Sequence, residues 1–204
     1  MPYFSEDYLA KTAGYREYRS LNEELTKIAS TSPRGRELAK ALSFAEPDTK
    51  KFDIFLSHSF RDKAIIWSLK REFERIGYST YVDWIEDYGL DRSNVNKATA
   101  EHIRNRMKNC ELLFFATSSN SSSSKWMPWE CGFFDGFKGK VAICPITKMS
   151  GDSFQGTEYL SLYNNVQYAK TEKTQSDEIW IHETPTKYVT ARGWIKGTNP
   201  YERN

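Results

Sequence analysis

Three short stretches of this chain place reactive groups next to apolar runs: Ser57-His58-Ser59, Asp83-Trp84, and Trp126-Met-Pro-Trp-Glu130. The third is the most informative. A serine-filled loop runs into Pro128, which suits the first turn of a helix because its missing N–H would be unpaired there anyway. With Trp126 at zero and about 100° per residue, Glu130 falls near ~40°, Phe133 near ~340°, Phe134 near ~80° and Phe137 near ~20°. The carboxylate therefore shares an aromatic stripe, while Asp135 and Lys138 lie on the solvated back. Burying a charge costs several kcal/mol unless something compensates it, so a glutamate there suggests a cleft. The plainer alternative is a carboxylate complementing the positive end of a helix, worth roughly 0.3–1 kcal/mol.

Other chemistries find less support. His58, His102 and His182 are scattered and the cysteines have no ligand spacing, so no metal site is expected. No G-x-x-x-x-G-K or G-x-G-x-x-G cradles a phosphate, and no G-x-S-x-G supplies a nucleophile elbow. Adjacent Ser57 and His58 do not form a dyad, since neighbours on a strand point apart. His58 reads equally well as a strand-end residue making ordinary hydrogen bonds. The serine run 118–124 reads as a flexible loop whose mobility could admit a ligand. Trp126 and Trp129 could simply fill a core, as large aromatics usually do.

The elements that must position these groups come next. At 204 residues the chain can bury a real core, and 39% apolar with 15% aromatic residues excludes a disordered chain. A net charge of +2 is too balanced to argue for a nucleic-acid or membrane surface. Cys110, Cys131 and Cys144 are odd in number and lack a C-x-x-C pair, which fits a reducing cytosol. With no signal-like run and no stretch approaching ~20 apolar residues, a soluble cytoplasmic protein is expected.

Residues 3–45 read as helices, with Ser20-Leu-Asn-Glu23 spaced as a capping box and Ser32-Pro33 restarting a helix that carries Leu38, Ala41 and Leu42. This part looks like a helical appendage, followed by the polar linker 46–51. Phe52–Ser57 reads as a buried strand. The helix from Asp62 carries Ile65, Ile66, Leu69, Phe73 and Ile76 to a C-cap at Gly77. Tyr78–Val82 is a second strand, 84–94 a loop, and Val95–Asn109 a helix with Ala98, Ile103 and Met107 inward. Leu112–Ala116 reads as a central strand and Val141–Ile146 as another; Tyr159–Tyr168 reads as ending in an edge strand. Residues 171–204 are apolar enough to pack as short strands or a small helix. Strand–helix alternation predicts an α/β fold with a parallel sheet covered on both faces. Ligands collect beyond the carboxyl ends of such strands, where all three reactive stretches converge.

Asp53-Ile-Phe-Leu-Ser-His-Ser59, Asp62-Lys63, Asp83 after the second strand, and Trp126-x-x-x-Glu130, in that order on a strand–helix alternation, resemble the Toll/interleukin-1 receptor (TIR) domain, most closely the short bacterial members. The resemblance covers roughly residues 51–170, leaving 1–50 as an N-terminal helical extension and 171–204 as a C-terminal extension packed on the TIR domain. It implies a flavodoxin-like fold, a central parallel sheet flanked by helices. It also implies an enzyme that takes NAD⁺ as substrate, needs no cofactor or metal, and releases nicotinamide to make ADP-ribose or a cyclic ADP-ribose signal in antiphage defence. Glu130 would be catalytic, with Ser57, His58, Ser59, Asp83, Trp84 and Trp126 around the substrate. The family's partners imply self-association, here including the 84–94 loop, and a downstream effector that senses the product, with no nucleic acid or membrane. That loop is long and carries Trp84, Tyr88 and Asp91-Arg92, unlike the short glycine-containing form in many members. Two other readings remain open at this point: a non-catalytic TIR adaptor, and a nucleoside deoxyribosyltransferase with a glutamate nucleophile.

Overall fold

Along β2 (Phe52–Ser57) and β4 (Cys110–Thr117) successive side chains enter two separate cores. Ile54, Leu56, Leu112, Phe114 and Ala116 join one; Phe55, Leu113 and Phe115 join the other. A strand buried on both faces has no solvated side to mark with polar residues, which is why these runs read as continuously apolar. The computed structural model describes residues 1–31, 49–87, 96–154 and 158–203, apart from the side chains of residues 22 and 24–31.

The remaining described strands are β1 (Phe4–Ser5), β3 (Thr80–Tyr81), β5 (Val141–Thr147), β6 (Asn164–Lys170), β7 (Asp177–His182), β8 (Lys187–Thr190) and β9 (Tyr201–Glu202). They form one sheet in the order β3-β2-β4-β5-β6-β7-β8-β9, with β1 paired to β5. Pairing is parallel from β3 to β6, as expected, and antiparallel from β6 onward. The helices are α1 (Glu6–Lys11), α2 (Ala13–Thr31), α3 (Lys63–Ile76), α4 (Asp83–Glu86), α5 (Lys97–Lys108), α6 (Trp126–Lys138) and α7 (Ala191–Ile195). Helix α3 buries Ile66, Leu69 and Phe73 in the first core, while α5 and α6 bury Ile103, Met107, Met127, Cys131 and Phe134 in the second. The result is a flavodoxin-like α/β sandwich. No described helix is long and apolar enough to cross a membrane.

Gly77 ends α3 in the left-handed region, φ +102°, where a side chain would be strained. Ala98 is exposed, against expectation, because the inward stripe of α5 runs through Thr99, Ile103, Arg106 and Met107. Strand β6 is internal, not an edge, because β7 hydrogen-bonds along its outer side. The capping box at Ser20 is overridden: α2 already begins at Ala13 and passes through it. The helix expected from Ser32-Pro33 falls outside the described residues.

Where helix is expected from residue 3, Phe4–Ser5 form a strand instead; two residues are too few to show a period. Strands β5 and β6 pair only at Ala142–Asn164 and Ile143–Asn165. Above that point they part, and β1 fills the gap. Phe4 and Ser5 pair with Ile146 and Thr147, while the Tyr168 N–H donates to the Pro2 carbonyl at 3.2 Å. The Phe4 ring is 1% exposed and packs on Tyr168 (4.5 Å) and Phe73 (5.5 Å). Phe4→Ala is expected to cost about 3–5 kcal/mol in urea unfolding, the usual range for truncating a buried phenylalanine; a cost below about 1 kcal/mol would show that the wedge contributes little to stability.

Candidate active site

The chain leaves β2, passes through α3 to β3 on one side, then crosses to β4 on the other. The crevice between the tips of β2 and β4 is therefore the switch point where such sheets bind ligands. Ser57 ends β2, opposite Phe115 of β4. Its hydroxyl donates to Glu130 Oε2 at 2.6 Å. Glu130 is fully buried, its backbone in the first half of α6. The buried face of that helix is Trp126, Met127, Glu130, Cys131 and Phe134, while Phe137 is exposed. The stripe is thus rotated from the one read on the wheel, and the carboxylate lies well inside it.

His58 is 4% exposed, with Nδ1 2.8 Å from the Leu56 carbonyl. Trp84 Nε1–H donates to His58 Nε2 at 3.0 Å. A carbonyl on one nitrogen and a donor on the other fix the neutral Nδ1–H tautomer. Buried Asp83, at the start of α4, has Oδ1 3.4 Å from Nε2.

Ser57 and Glu130 are thus brought together by direct contact, as are His58, Asp83 and Trp84. Ser59 is buried but serves its own turn, its hydroxyl accepting from the Arg61 N–H at 3.4 Å. Trp126 packs edge-on to Trp129, at 5.4 Å, within the second core. Of the 84–94 loop, Trp84 to Asp87 are described; Tyr88 and Asp91-Arg92 lie outside the described residues.

Several site-building residues carry no motif. Asp62 accepts from Ser118 Oγ at 2.5 Å and from Asn120 Nδ2 at 2.6 Å, which ties the serine loop across the β2–β4 crevice. That loop forms a hydrogen-bonded turn over Ser121–Ser123 rather than an unsupported excursion. Tyr18 from α2 and Trp67 from α3 brace Trp84, with ring centroids 5.9 and 6.0 Å away. Lys63 lies over Phe60 at 3.8 Å and Trp84 at 5.1 Å; burial lowers its pKa, against the pull of Asp83. The three thiols are free and buried. Burial raises the pKa of each, so they are poor nucleophiles.

Below the site, Arg106 is 2% exposed and grips Asp87 with Nε at 2.9 Å and Nη2 at 2.5 Å. Tyr81 and His102 also donate to Asp87. The one available signal was Arg106 on the same helical face as Ile103 and Met107, a charge on an apolar stripe like Glu130.

No protein-family model matches the chain. It is 53% identical over 148 residues to the "probable 3′ cyclic ADP-D-ribose synthase ThsB′" of Bacillus cereus (strain MSX-D12), covering 72% of this chain and 77% of that protein. It is 28% identical over 110 residues to the "putative cyclic ADP-D-ribose synthase TIR2" of Cytobacillus dafuensis, covering 53% of this chain and 29% of that longer protein.

Burial alone would raise the Asp87 carboxyl, but hydrogen bonds from His102, Arg106 and Tyr81 win and lower it from 3.8 to about 2. A depressed carboxylate stabilises the fold above its unfolded pKa, and that stability is lost as pH falls through the folded value. Urea titrations should therefore show about 2 kcal/mol lost between about pH 4 and about pH 2. Asp87→Asn should flatten that window; an unchanged slope would remove Asp87 as its source.

Proposed function

The chain belongs to the bacterial TIR-domain family of the NAD-cleaving type, and on that premise we propose that it converts NAD⁺ to nicotinamide and a cyclic ADP-ribose, with Glu130 as the catalytic carboxylate. The observation that carries this reading is a fully buried glutamate seated by Ser57 at the switch point of the sheet. The name of the Bacillus cereus relative suggests the 3′-cyclic isomer as the product. A role as an antiphage signal, read by a downstream effector, follows from the same resemblance. Both relatives carry synthase names, which favours neither an adaptor nor a deoxyribosyltransferase.

The chemistry suits one carboxylate. Most glycosidases need two, because one must protonate the leaving group. Nicotinamide is already cationic in NAD⁺; as the bond to the ribose anomeric carbon breaks, the electron pair goes to the ring nitrogen and nicotinamide departs neutral. What remains is to steady the positive charge developing on the sugar. At ~4 Å and an effective dielectric of ~20, a carboxylate attracts a full positive charge by about 4 kcal/mol. Only the increase over the cationic substrate accelerates the reaction. Ser57 holds Oε2 in place, so little reorganisation is needed as charge builds. The new bond at the anomeric carbon comes from water, giving ADP-ribose, or from the adenosine half of the same molecule, giving a ring; either way the nucleophile loses a proton.

In this reading the structure is a resting form. With Glu130 fully buried, the surrounding chain must part before a ribose reaches it. Self-association, a property of the family, would supply that change. His58, Asp83 and Trp84 would line the mouth, and Trp126 would support it from the core side.

Glu130→Gln should slow nicotinamide release from NAD⁺ by roughly two to three powers of ten, with mass spectrometry of the wild-type products showing a cyclic ADP-ribose. Full activity in Glu130→Gln, or no turnover by dilute and crowded wild-type protein alike, would reject the assignment.

A further inference from the structure

A hollow of about 230 Å³ opens at the tips of β4 and β5, one strand away from the Ser57–Glu130 pair. Pairing between these strands ends at Thr117–Pro145, where Pro145 has no N–H to donate. Thr117, Ile146, Thr147, Lys148, Asp152 and Phe154 contribute to its lining. The wedge described above walls it, since β1 pairs with Ile146 and Thr147 and the Tyr3 ring meets Phe154 edge-on at 6.2 Å.

Its groups are only partly used by the fold. Thr117 is 7% exposed, and its buried hydroxyl has no hydrogen-bond partner among the described residues. Lys148 is exposed, and among the described residues no carboxylate pairs with it. Asp152 accepts the Met149 N–H through Oδ2 at 2.9 Å. Phe154 offers a half-buried ring. An ammonium suits a phosphate, hydroxyls and a carboxylate suit sugar hydroxyls, and a ring face suits a flat base. The volume falls below the ~300–1,000 Å³ of sites that enclose a whole ligand, so it fits a fragment.

We propose that this hollow binds a nucleoside phosphate. The source within reach is the adenylate half of NAD⁺, an identification that rests on the function proposed above. Thr117 is one strand over from Ser57 and two residues beyond its partner Phe115, roughly 8 Å from backbone to backbone. A dinucleotide with its nicotinamide ribose at Glu130 can span that distance. Holding the adenosine end there sets which of its hydroxyls faces the anomeric carbon, and so whether a ring closes.

Calorimetric titration with AMP tests the hollow without any turnover. Wild type and Glu130→Gln should bind AMP alike, while Thr117→Val and Lys148→Met each bind about tenfold more weakly. Thr117→Val should keep or raise thermal stability, since it removes an unpaired buried hydroxyl, which separates lost binding from lost folding. Turnover then tells the sources apart. A KM for NAD⁺ raised about tenfold at unchanged kcat identifies the adenylate half of the substrate. An unchanged KM with weakened AMP binding identifies a free nucleotide. AMP that does not bind, or that binds all four proteins equally, overturns the proposal, and does so whether or not the chain cleaves NAD⁺.

Discussion

A carboxylate cannot be taken from water without replacement interactions, and the arrangement around Glu130 answers to that requirement. Ser57 must end its strand with the hydroxyl turned toward α6, which fixes where β2 stops and how the helix lies across it. The strand tip then needs support of its own. Asp62 provides it by reaching to Ser118 and Asn120 across the crevice. Trp84 provides it on the other side by holding the His58 ring in one tautomer. The aromatic group of Tyr18, Trp67 and Trp84 transmits this demand to α2 and α3. A single buried carboxyl group thus organises side chains from four helices and the central strands.

A second buried carboxyl group, that of Asp87, is held by a different set of partners. Asp87 is satisfied by Arg106, Tyr81 and His102, donors that neutralise it and leave it a structural part of the fold beneath the 84–94 loop. Glu130 takes a hydrogen bond from the Ser57 hydroxyl, which orients one of its oxygens.

The layout was legible where sequence periodicity and burial coincide. Phe52–Ser57, Leu112–Ala116 and Val141–Ile146 are buried on both faces, so their apolar runs mark them plainly. Helix α3 shows its stripe and its glycine cap because each follows from local geometry. Glu130 stood out as a charge on an apolar face. Contacts set by the third dimension left no trace: Asp62 with Ser118, Tyr18 with Trp84, and β1 between β5 and β6 join residues far apart in the chain. Ser20 misled for the opposite reason, since a capping pattern inside a longer helix is outweighed by the helix already propagating through it.

Strand β1 also imposes an order of events during synthesis. Residues 4 and 5 leave the ribosome well before the residues at 146 and 147 that they pair with, and before Tyr168, which bonds the neighbouring Pro2 carbonyl. Until then residues 4 and 5 have no native neighbour in the sheet, and closing so large a loop is entropically costly. A partly translated chain can assemble β2 to β4 while the gap beside β5 still lies ahead. The wedge can seat only once β5 has been made, so a product truncated before residue 146 would carry residues 4 and 5 with no strand to receive them.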